Sequence, residues 1–425
     1  MQLTQLTNTV AENSNRRVVI TGLGAVTNIG QNVSDTWSAL LAGKSGIGPI
    51  TAFEQNEQWT TTIAGEVHDW DPADHLDRAS IKRMDRFAQL GVFAAKEAMS
   101  HSGLDWENSD PYRLGVSIGS GVGGIATIEH FSNVLRDRGP RRLSPFTVPR
   151  LMVNACAGNV SIEFNLRGVN SAVATACATG GHAIAEAFTF ISSGMADFVL
   201  AGGAEAAVTP VCVASFGAMK ALSTRNDDPT KASRPFDKDR DGFVLSEGAA
   251  VLAVEEYEHA KARGADILAE VVGFGITGDA GHIAAPDSEG SGAKAAMKTA
   301  LSHAGIDASQ VGYINAHGTS TPLGDAAEVA AVKSLFGDHA YNLAMSSTKS
   351  CTGHMLGAAG GIESIAVILA LKNGVLPPTI NLDIADEGFD LDFVAHEPQE
   401  RPIEFALNNS FGFGGHNVSL AFAKV

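Results

Sequence analysis

Four side chains with reactive chemistry lie at the ends of short apolar runs, which are typical of buried strands. Cys177 lies in TACATGGH, directly after SAVATA, and His317 begins HGTSTPLGD after the run GYINA. Lys349 and His354 share the segment STKSCTGH, at the end of the run NLAMSST. Ligands of open α/β sheets bind at the carboxyl ends of strands. The sequence therefore predicts a site where a thiol lies near two imidazoles and an ammonium group.

Cys177 has two interpretations. Free cysteine is among the most buried residue types and usually packs as a small hydrophobic side chain. The alternative is a nucleophile, because a helix is predicted to start just after Cys177, and a helix N-terminus favours the reactive thiolate. The small neighbours Ala176 and Ala178 leave room for a substrate, although tight packing alone would also explain them. His182, in the same segment, is predicted to be structural.

Two further patterns suggest cofactors only when they are taken alone. GSGVGG (119–124) fits the glycine pattern of a dinucleotide-binding turn, which also needs a second strand ending in an acidic residue about 20 residues later. That region reads SNVLRDRGPRRLSPF, which is basic and contains proline, so we predict a close-packed turn instead. Cys351 and His354 could form half of a zinc site, but a structural site needs four ligands. We therefore predict no metal.

Strand and helix patterns alternate along the chain, which predicts an α/β fold with mostly buried strands. In the segment 83–103, Phe87, Leu90, Ala94 and Ala98 recur at the spacing of one helix face. The strand predictions fall on 16–24, 113–121, 171–176, 196–205, 248–256, 312–318 and 342–348.

One stretch occurs twice, about half the chain apart. AMSHSGLD (98–105) matches ALSHAGID (300–307), and each copy ends a predicted helix and precedes a predicted strand. A looser match relates the segment around Cys177 to the segment around Lys349. The repeat predicts two similar halves, residues 16–265 and 266–425, with a site at their junction.

Composition limits the classes of function. The chain has 425 residues, a formal net charge of −17 and only four cysteines, which show no disulfide framework. The acidic charge disfavours nucleic acid and anionic membranes as partners, and apolar runs such as IAVILAL (365–371) are too short to span a bilayer. Residues 1–15 do not resemble a signal peptide. We expect them to form a disordered leader and the protein to work in a reducing cytoplasm.

These segments together resemble the β-ketoacyl-acyl carrier protein synthases, the condensing enzymes of fatty-acid synthesis. The resemblance runs from RRVVITGLGAV (16–26) to NSFGFGGHN (409–417) and is most specific in TACATG, NAHGTSTP and STKSCTGH. The segment STRNDDPTKASRPFDKDRDGFV makes the bacterial type II elongating enzyme the best match. The resemblance implies a thiolase-like, five-layer α-β-α-β-α fold and a homodimer whose acyl tunnel reaches toward the subunit interface. It implies no cofactor, since the phosphopantetheine arm arrives on acyl carrier protein.

The same resemblance implies roles for individual residues. Cys177 would accept the acyl group as a thioester, and His317 and His354 would assist decarboxylation of malonyl-acyl carrier protein as neutral, Nε2-protonated rings. Lys349 would order the site through Glu363. The backbone N–H groups of Cys177 and Phe413 would bind an oxyanion, and Phe413 would also gate the acyl pocket. The remaining residues expected to contact substrate are Thr319 and Thr321 on the pantetheine arm, and Phe411, Val122 and Phe216.

Acyl carrier protein is acidic, so the net charge of this chain would repel it. A local basic rim is therefore expected, which would mainly raise the association rate. The residues predicted to form this rim are Lys82, Arg83, Arg141, Arg142, Lys220 and Arg225.

Three positions depart from the commonest family pattern: CATG replaces CTSG, Cys351 replaces methionine and His416 replaces threonine. None of these removes a catalytic group, and Cys351 is expected to be buried. A thiolase would need a second catalytic cysteine where this chain has SFGFGGHN. The sequence distinguishes a stand-alone polyketide ketosynthase poorly from an enzyme of fatty-acid synthesis. A chain-length-factor partner without activity would lack the active cysteine, and Cys177 is present.

Overall fold

The computed structural model describes residues 16–425, and the leader predicted for residues 1–15 lies outside the described residues. The strands are β1 (Val18–Val26), β2 (Gly48–Pro49), β3 (Ile63–Ala64), β4 (Leu114–Gly119), β5 (Asn170–Ser171), β6 (Phe198–Glu205), β7 (Gly248–Glu256), β8 (Ala269–Gly278), β9 (Val311–Asn315), β10 (Ala344–Ser346), β11 (Val375–Leu376), β12 (Gln399–Glu400), β13 (Phe405–Gly412) and β14 (His416–Ala423).

The helices are α1 (Val33–Leu41), α2 (Arg78–Arg83), α3 (Arg86–Ser102), α4 (Ile125–Arg138), α5 (Thr147–Leu151), α6 (Ala155–Glu163), α7 (Thr179–Ser192), α8 (Pro210–Ala218), α9 (Tyr257–Ala262), α10 (Ser291–Ala304), α11 (Pro322–Phe336), α12 (Lys349–Thr352) and α13 (Ala359–Asn373). Short 3₁₀ turns include Pro140–Arg142, Ala176–Ala178 and Leu356–Ala358.

Both halves of the chain build the same five-stranded arrangement. The spatial order is β5-β4-β6-β7-β1 in the first half and β10-β9-β13-β14-β8 in the second. In each half the last strand along the chain, β7 or β14, is antiparallel to both neighbours, whereas the remaining pairs are parallel. The two arrangements join where β1 pairs with β8 over Val18–Ile20. The predicted duplication is therefore present in the topology. The boundary predicted between residues 265 and 266 falls between α9 and β8 and stays a prediction.

The layers alternate between helices and sheet. Helices α3 and α6 cover the outer face of the first half, α7 and α13 lie between the two halves, and α10 and α11 cover the outer face of the second half. The predicted face of α3, formed by Phe87, Leu90, Ala94 and Ala98, is fully buried in the outer core. The predicted five-layer α-β-α-β-α architecture is confirmed.

The repeated stretch has matching structural roles in the two halves. Helices α3 and α10 both end at a left-handed glycine, Gly103 and Gly305. His101 Nδ1 lies 3.2 Å from the backbone nitrogen of Leu23 in β1, and His303 Nδ1 lies 3.3 Å from that of Phe274 in β8. The shared histidine therefore links the outer helix of each half to the first strand of that half.

One strand prediction was wrong. Only Ser171 of the run SAVATA (171–176) lies in a strand, the two-residue β5, and the chain then leaves the sheet. Its apolar residues are explained by the turn that follows, because Ala176 adopts φ +50° and begins the 3₁₀ turn that carries Cys177.

By length and composition, the stretch Leu356–Asn373 could cross a membrane, with a mean hydropathy of 1.3, but 83% of it is buried inside the protein. The sequence-based expectation considered only the apolar run IAVILAL (365–371) within this stretch. The stretch includes α13, whose position between the two halves accounts for its apolar composition.

Candidate active site

Cys177 lies in the turn that leads into α7, as the sequence predicts. His182 on α7 supports the turn, because its Nδ1 lies 2.9 Å from Thr175 Oγ1 and 3.1 Å from the carbonyl oxygen of Ala178. Gly412 packs against the other side, where a Cβ atom would lie 2.6 Å from the carbonyl oxygen of Thr175. The nucleophile turn is therefore fixed between α7 and the end of β13.

The structure brings Cys177, His317 and His354 together from three separate segments. The Cys177 sulfur and one ring nitrogen of each histidine lie within 4.8 Å of one another, and all three side chains are buried. The two imidazole rings are nearly perpendicular, at 83°, with centroids 5.4 Å apart. Nδ1 of His317 and both ring nitrogens of His354 have no hydrogen-bond partner among the described residues. Nε2 of His354, the atom expected to donate, therefore makes no hydrogen bond to a described residue.

The protonation states follow from burial. Burial, assisted by the positive charge of Lys349, lowers the pKa of His317 and His354 well below 6.5. Burial raises the pKa of Cys177 to about 12, while Lys349 and the backbone N–H of Phe413 act in the opposite direction. Cys177 precedes the helix as predicted, and its exclusion from water acts against the thiolate that a helix N-terminus favours.

Lys349 begins α12 and contacts the carboxylate of Glu363 on α13, as the resemblance implies. Both side chains are almost fully buried, with 2% and 1% exposure. Burial raises the pKa of Glu363 to about 7, and the positive charge of Lys349 offsets only part of this effect. The pair places one positive charge beside the histidines without exposing it to solvent.

Sequence reasoning missed Glu328, which supports His317. Its carboxylate accepts hydrogen bonds from the backbone N–H groups of His317 and Gly318, at 2.9 and 2.8 Å, and from Asn409 at 3.2 Å. Burial raises the pKa of Glu328 to about 7. The one available signal was an acidic residue inside the apolar run of α11, between Ala327 and Val329.

A cavity of about 440 Å³ leads from Cys177 toward the surface. The hydroxyls of Thr319 and Thr321 line it and lie 3.0 Å apart. Its outer part includes Lys220 and Leu323, and both of these residues are exposed. The cavity can admit a narrow arm that carries its reactive group to Cys177. The other predicted residues that line it are His317, His354, Phe411 and Phe413.

Val122 and Phe216 are placed next to Cys177 by a different set of contacts. They pack into an apolar cluster that includes Cys177, Cys212 and Leu356 but they do not line the cavity. This cluster offers an apolar environment for a hydrocarbon chain attached to the sulfur.

Phe413 lies in a glycine-rich loop, residues 412–415, between β13 and β14. Gly414 and Gly415 adopt φ +86° and +73°, which side chains rarely allow. The ring of Phe413 lies 6.4 Å from the ring of Phe216, so the loop contacts both the cavity and the apolar cluster.

GSGVGG forms a tight turn between β4 and α4. Its N–H groups at Gly121 and Val122 donate to the carboxylate of Glu205, at 2.7 and 3.3 Å. A carboxylate therefore occupies the position that a phosphate would need. Cys351 is fully buried in α12, as expected.

The predicted docking residues lie in three places. Lys82 and Arg83 are exposed on α2, and the Arg83 guanidinium lies 5.6 Å from the ring of Phe146. Arg141 and Arg142 are exposed in the adjacent 3₁₀ turn. Lys220 lies at the cavity, and Arg225 is half-buried. None of the six forms a salt bridge with another residue in the range 16–425.

Comparisons with known proteins agree over nearly the whole chain. The family described as Beta-ketoacyl synthase, N-terminal domain, matches residues 15–260, and the family described as Beta-ketoacyl synthase, C-terminal domain, matches residues 268–383. A Coxiella burnetii protein named 3-oxoacyl-[acyl-carrier-protein] synthase 2 is 53% identical over 410 residues, which cover 96% of this chain and 99% of that protein.

Solved structures share the fold. A β-ketoacyl synthase from Burkholderia phymatum aligns with a TM-score of 0.90 and 38% identity, covering 96% of this chain and 100% of that one. A chain of a type II polyketide synthase acyl-carrier protein complex, with its ketosynthase bound to the hexaketide, aligns with a TM-score of 0.89 and 33% identity. That alignment covers 96% of this chain and 99% of the other.

Proposed function

This chain belongs to the β-ketoacyl synthase family, as its motifs predict, and from that premise we propose that it is a 3-oxoacyl-[acyl-carrier-protein] synthase of type II fatty-acid synthesis. It condenses malonyl-acyl carrier protein with an acyl group held on Cys177 and lengthens the chain by two carbons. The observation that carries this proposal is the buried trio of Cys177, His317 and His354, whose reactive atoms lie within 4.8 Å of one another.

Cys177 accepts the acyl group in the first half-reaction. Its sulfur attacks the thioester carbonyl of acyl carrier protein, the bond to the pantetheine sulfur breaks, and the thiol proton passes to the departing sulfur. The oxyanion that forms is stabilised by the backbone N–H groups of Cys177 and Phe413. The effect of the Phe413 N–H, which lowers the pKa of Cys177 against burial, supports this assignment.

His317 and His354 act in the second half-reaction. Malonyl thioester loses carbon dioxide, and the released electron pair forms an enolate whose oxygen needs N–H donors. Neutral imidazoles provide such donors, and the lowered pKa of both rings keeps them neutral. The enolate carbon then attacks the carbonyl on Cys177, a carbon–carbon bond forms, and the released thiolate takes up a proton.

Lys349 supports the reaction through its charge and position. The contact with Glu363 fixes the ammonium group beside the histidines. Since the Lys349 charge contributes to the lowered pKa of both histidines, it favours the neutral donors that the enolate needs.

The cavity and the apolar cluster at Cys177 suit two different parts of the substrate. Thr319 and Thr321 offer hydroxyls to the phosphopantetheine arm along the cavity. Val122 and Phe216 offer an apolar environment to the acyl chain. Phe411 packs on His317, with ring centroids 5.8 Å apart, and Phe413 separates the cavity from the cluster as a movable gate. No resident cofactor is needed, because the arm arrives with its carrier.

Acyl carrier protein is the proposed partner, and the relative solved with its acyl-carrier protein supports it. The unpaired cations of α2 and the 140–142 turn give an acidic carrier a local target on a chain of net charge −17. Such charges raise the association rate and weaken with salt.

We further propose a homodimer that covers α5, α6 and the edge strand β5. Apolar side chains on these helices are exposed, among them Val148 at 60% and Ile162 at 81%, and exposed apolar patches mark interaction surfaces. Ile162→Asp should yield monomers in light scattering, whereas Tyr341→Asp, at an exposed position in the second half, should leave the dimer intact. Monomeric wild-type protein would contradict the dimer.

The four buried, free cysteines suit the reducing cytoplasm that we propose as the compartment.

A polyketide ketosynthase remains the second candidate, because the structural relatives include one bound to a hexaketide. The deciding experiment incubates the protein with acyl-acyl carrier proteins of graded length and with polyketide intermediates, followed by intact-mass analysis and peptide mapping. We expect a saturated acyl thioester on Cys177. Loading of polyketide intermediates alone would favour the second candidate, and no acylation by any substrate would exclude both.

A further inference from the structure

Glu205, at the end of β6, is a buried carboxylate for which the reaction described above has no role. It is fully buried, and four donors surround it. Oε1 accepts from Ser120 Oγ at 2.7 Å and from the Val122 N–H at 3.3 Å, and Oε2 accepts from the Gly121 N–H at 2.7 Å. The fourth donor is the Gly357 N–H, at 3.0 Å from Oε2.

These donors belong to different halves of the chain. Residues 120–122 form the turn that places Val122 in the apolar cluster around Cys177. Gly357 belongs to the second half and follows His354 by three positions. A Cβ atom on Gly357 would lie 2.5 Å from the nitrogen of Gly121 and 2.9 Å from Glu205 Oε2. A Cβ atom on Gly121 would lie 2.8 Å from Glu205 Oε2. The two backbones therefore meet at one carboxylate with no space for other side chains.

On the basis of the proposed function, we infer that Glu205 is a positioning residue. It joins the turn of residues 120–122, which lies beside the proposed acyl site, to the segment that carries His354. Acyl transfer to Cys177 and decarboxylation of the malonyl group then depend on the same support. Without the carboxylate, three backbone N–H groups and one hydroxyl lose their buried acceptor, and the two turns lose their shared contact.

Substitutions at Glu205 separate this role from general stability. Glutamine keeps most of the contacts, because its oxygen can accept from Gly121 and Gly357 while its amide donates to Ser120. Alanine removes all of them. A matched control is Glu66, another buried carboxylate, which accepts from the N–H groups of Thr51 and Ala52 and contacts neither turn.

The experiment measures the two half-reactions separately: acylation of Cys177 by acyl-acyl carrier protein, and carbon dioxide release from malonyl-acyl carrier protein. We expect Glu205→Ala to lower the maximal rate of both by about 10- to 100-fold, as small misplacements do, with the KM for the carrier changed less than about 2-fold because docking lies elsewhere. Glu205→Gln should restore both rates to within about 3-fold, and Glu66→Ala should leave both within about 2-fold of wild type.

The inference is overturned if Glu205→Ala keeps both maximal rates, or if Glu205→Gln is as slow as Glu205→Ala. It is also overturned if Glu66→Ala, at a similar loss of melting temperature, slows both reactions equally. Failure of the proposed function gives a different result, since wild-type protein would then perform neither half-reaction.

Discussion

The rings of His317 and His354 meet at 83° with their centroids 5.4 Å apart, and Cys177 lies against both. This arrangement places two uncharged donors on one side of the sulfur. Between the two histidines the chain forms α11, β10 and α12, so the rings come from separate elements and meet only in the folded protein.

The decarboxylation rate should resist mild acid. Because the pKa of both histidines lies well below 6.5, the neutral donors persist as the pH falls from about 8 to about 6, and carbon dioxide release should change less than about 2-fold. A rate that falls as the pH drops through 6.5 would contradict the neutral assignment. For stability, the two histidines favour unfolding below pH 6.5, because they bind protons only in the unfolded chain, whereas the raised pKa of Glu363 and Glu328 acts in the opposite direction.

Breaking the Lys349–Glu363 pair should lower both the free energy of unfolding and the activity. Lys349→Met leaves a buried carboxylate alone, which should lower the free energy of unfolding by about 3–5 kcal/mol, measured by urea denaturation. The pKa of both histidines should also rise, so that decarboxylation is lost at a higher pH than in wild type.

Two controls define this result. Adding Glu363→Met to Lys349→Met should recover stability without recovering activity. Lys333→Met, which breaks an exposed pair with Asp390, should cost less than about 1 kcal/mol. A stable and fully active Lys349→Met variant would show that the buried pair has no role.

Enlarging Val122 should change chain-length preference. Val122→Phe adds a ring to the apolar cluster around Cys177, so long acyl chains should load about 10-fold more slowly, while malonyl decarboxylation stays within about 2-fold. Val211→Phe, at an exposed position of α8, serves as the control. If Val122→Phe accepts all chain lengths equally, the acyl chain does not bind in this cluster.

Reversing charge on α2 should weaken docking of the carrier. Arg83→Glu should raise the KM for acyl-acyl carrier protein several-fold at low salt and leave the maximal rate unchanged, because rim charges act on association. The effect should shrink as salt is added. The control is Lys298→Glu, exposed on α10 in the second half, and an equal effect of this variant would exclude a specific docking surface on α2.

The sequence was most informative where side chains lie in short motifs. Cys177, His317, Lys349 and His354 could be selected because their motifs follow apolar runs, and the repeated AMSHSGLD and ALSHAGID segments predicted the duplicated topology. These features depend on local order along the chain, which a sequence displays directly.

The remaining features depend on contacts between distant segments. Glu205 and Glu328 are single acidic residues whose hydrogen-bond partners lie on other elements, so no spacing points to them. The burial that raises the pKa of Cys177 also depends on distant segments, whereas the helix N-terminus beside it is visible in the sequence.

The central claim is that Cys177 carries the acyl group while the histidines act on malonyl thioester. The most direct measurement compares condensation and carbon dioxide release in Cys177→Ala, with Cys212→Ala, a buried cysteine of the same apolar cluster, as the control. We predict that Cys177→Ala loses condensation and keeps decarboxylation, and that Cys212→Ala keeps both. Normal chain elongation by Cys177→Ala would contradict the account.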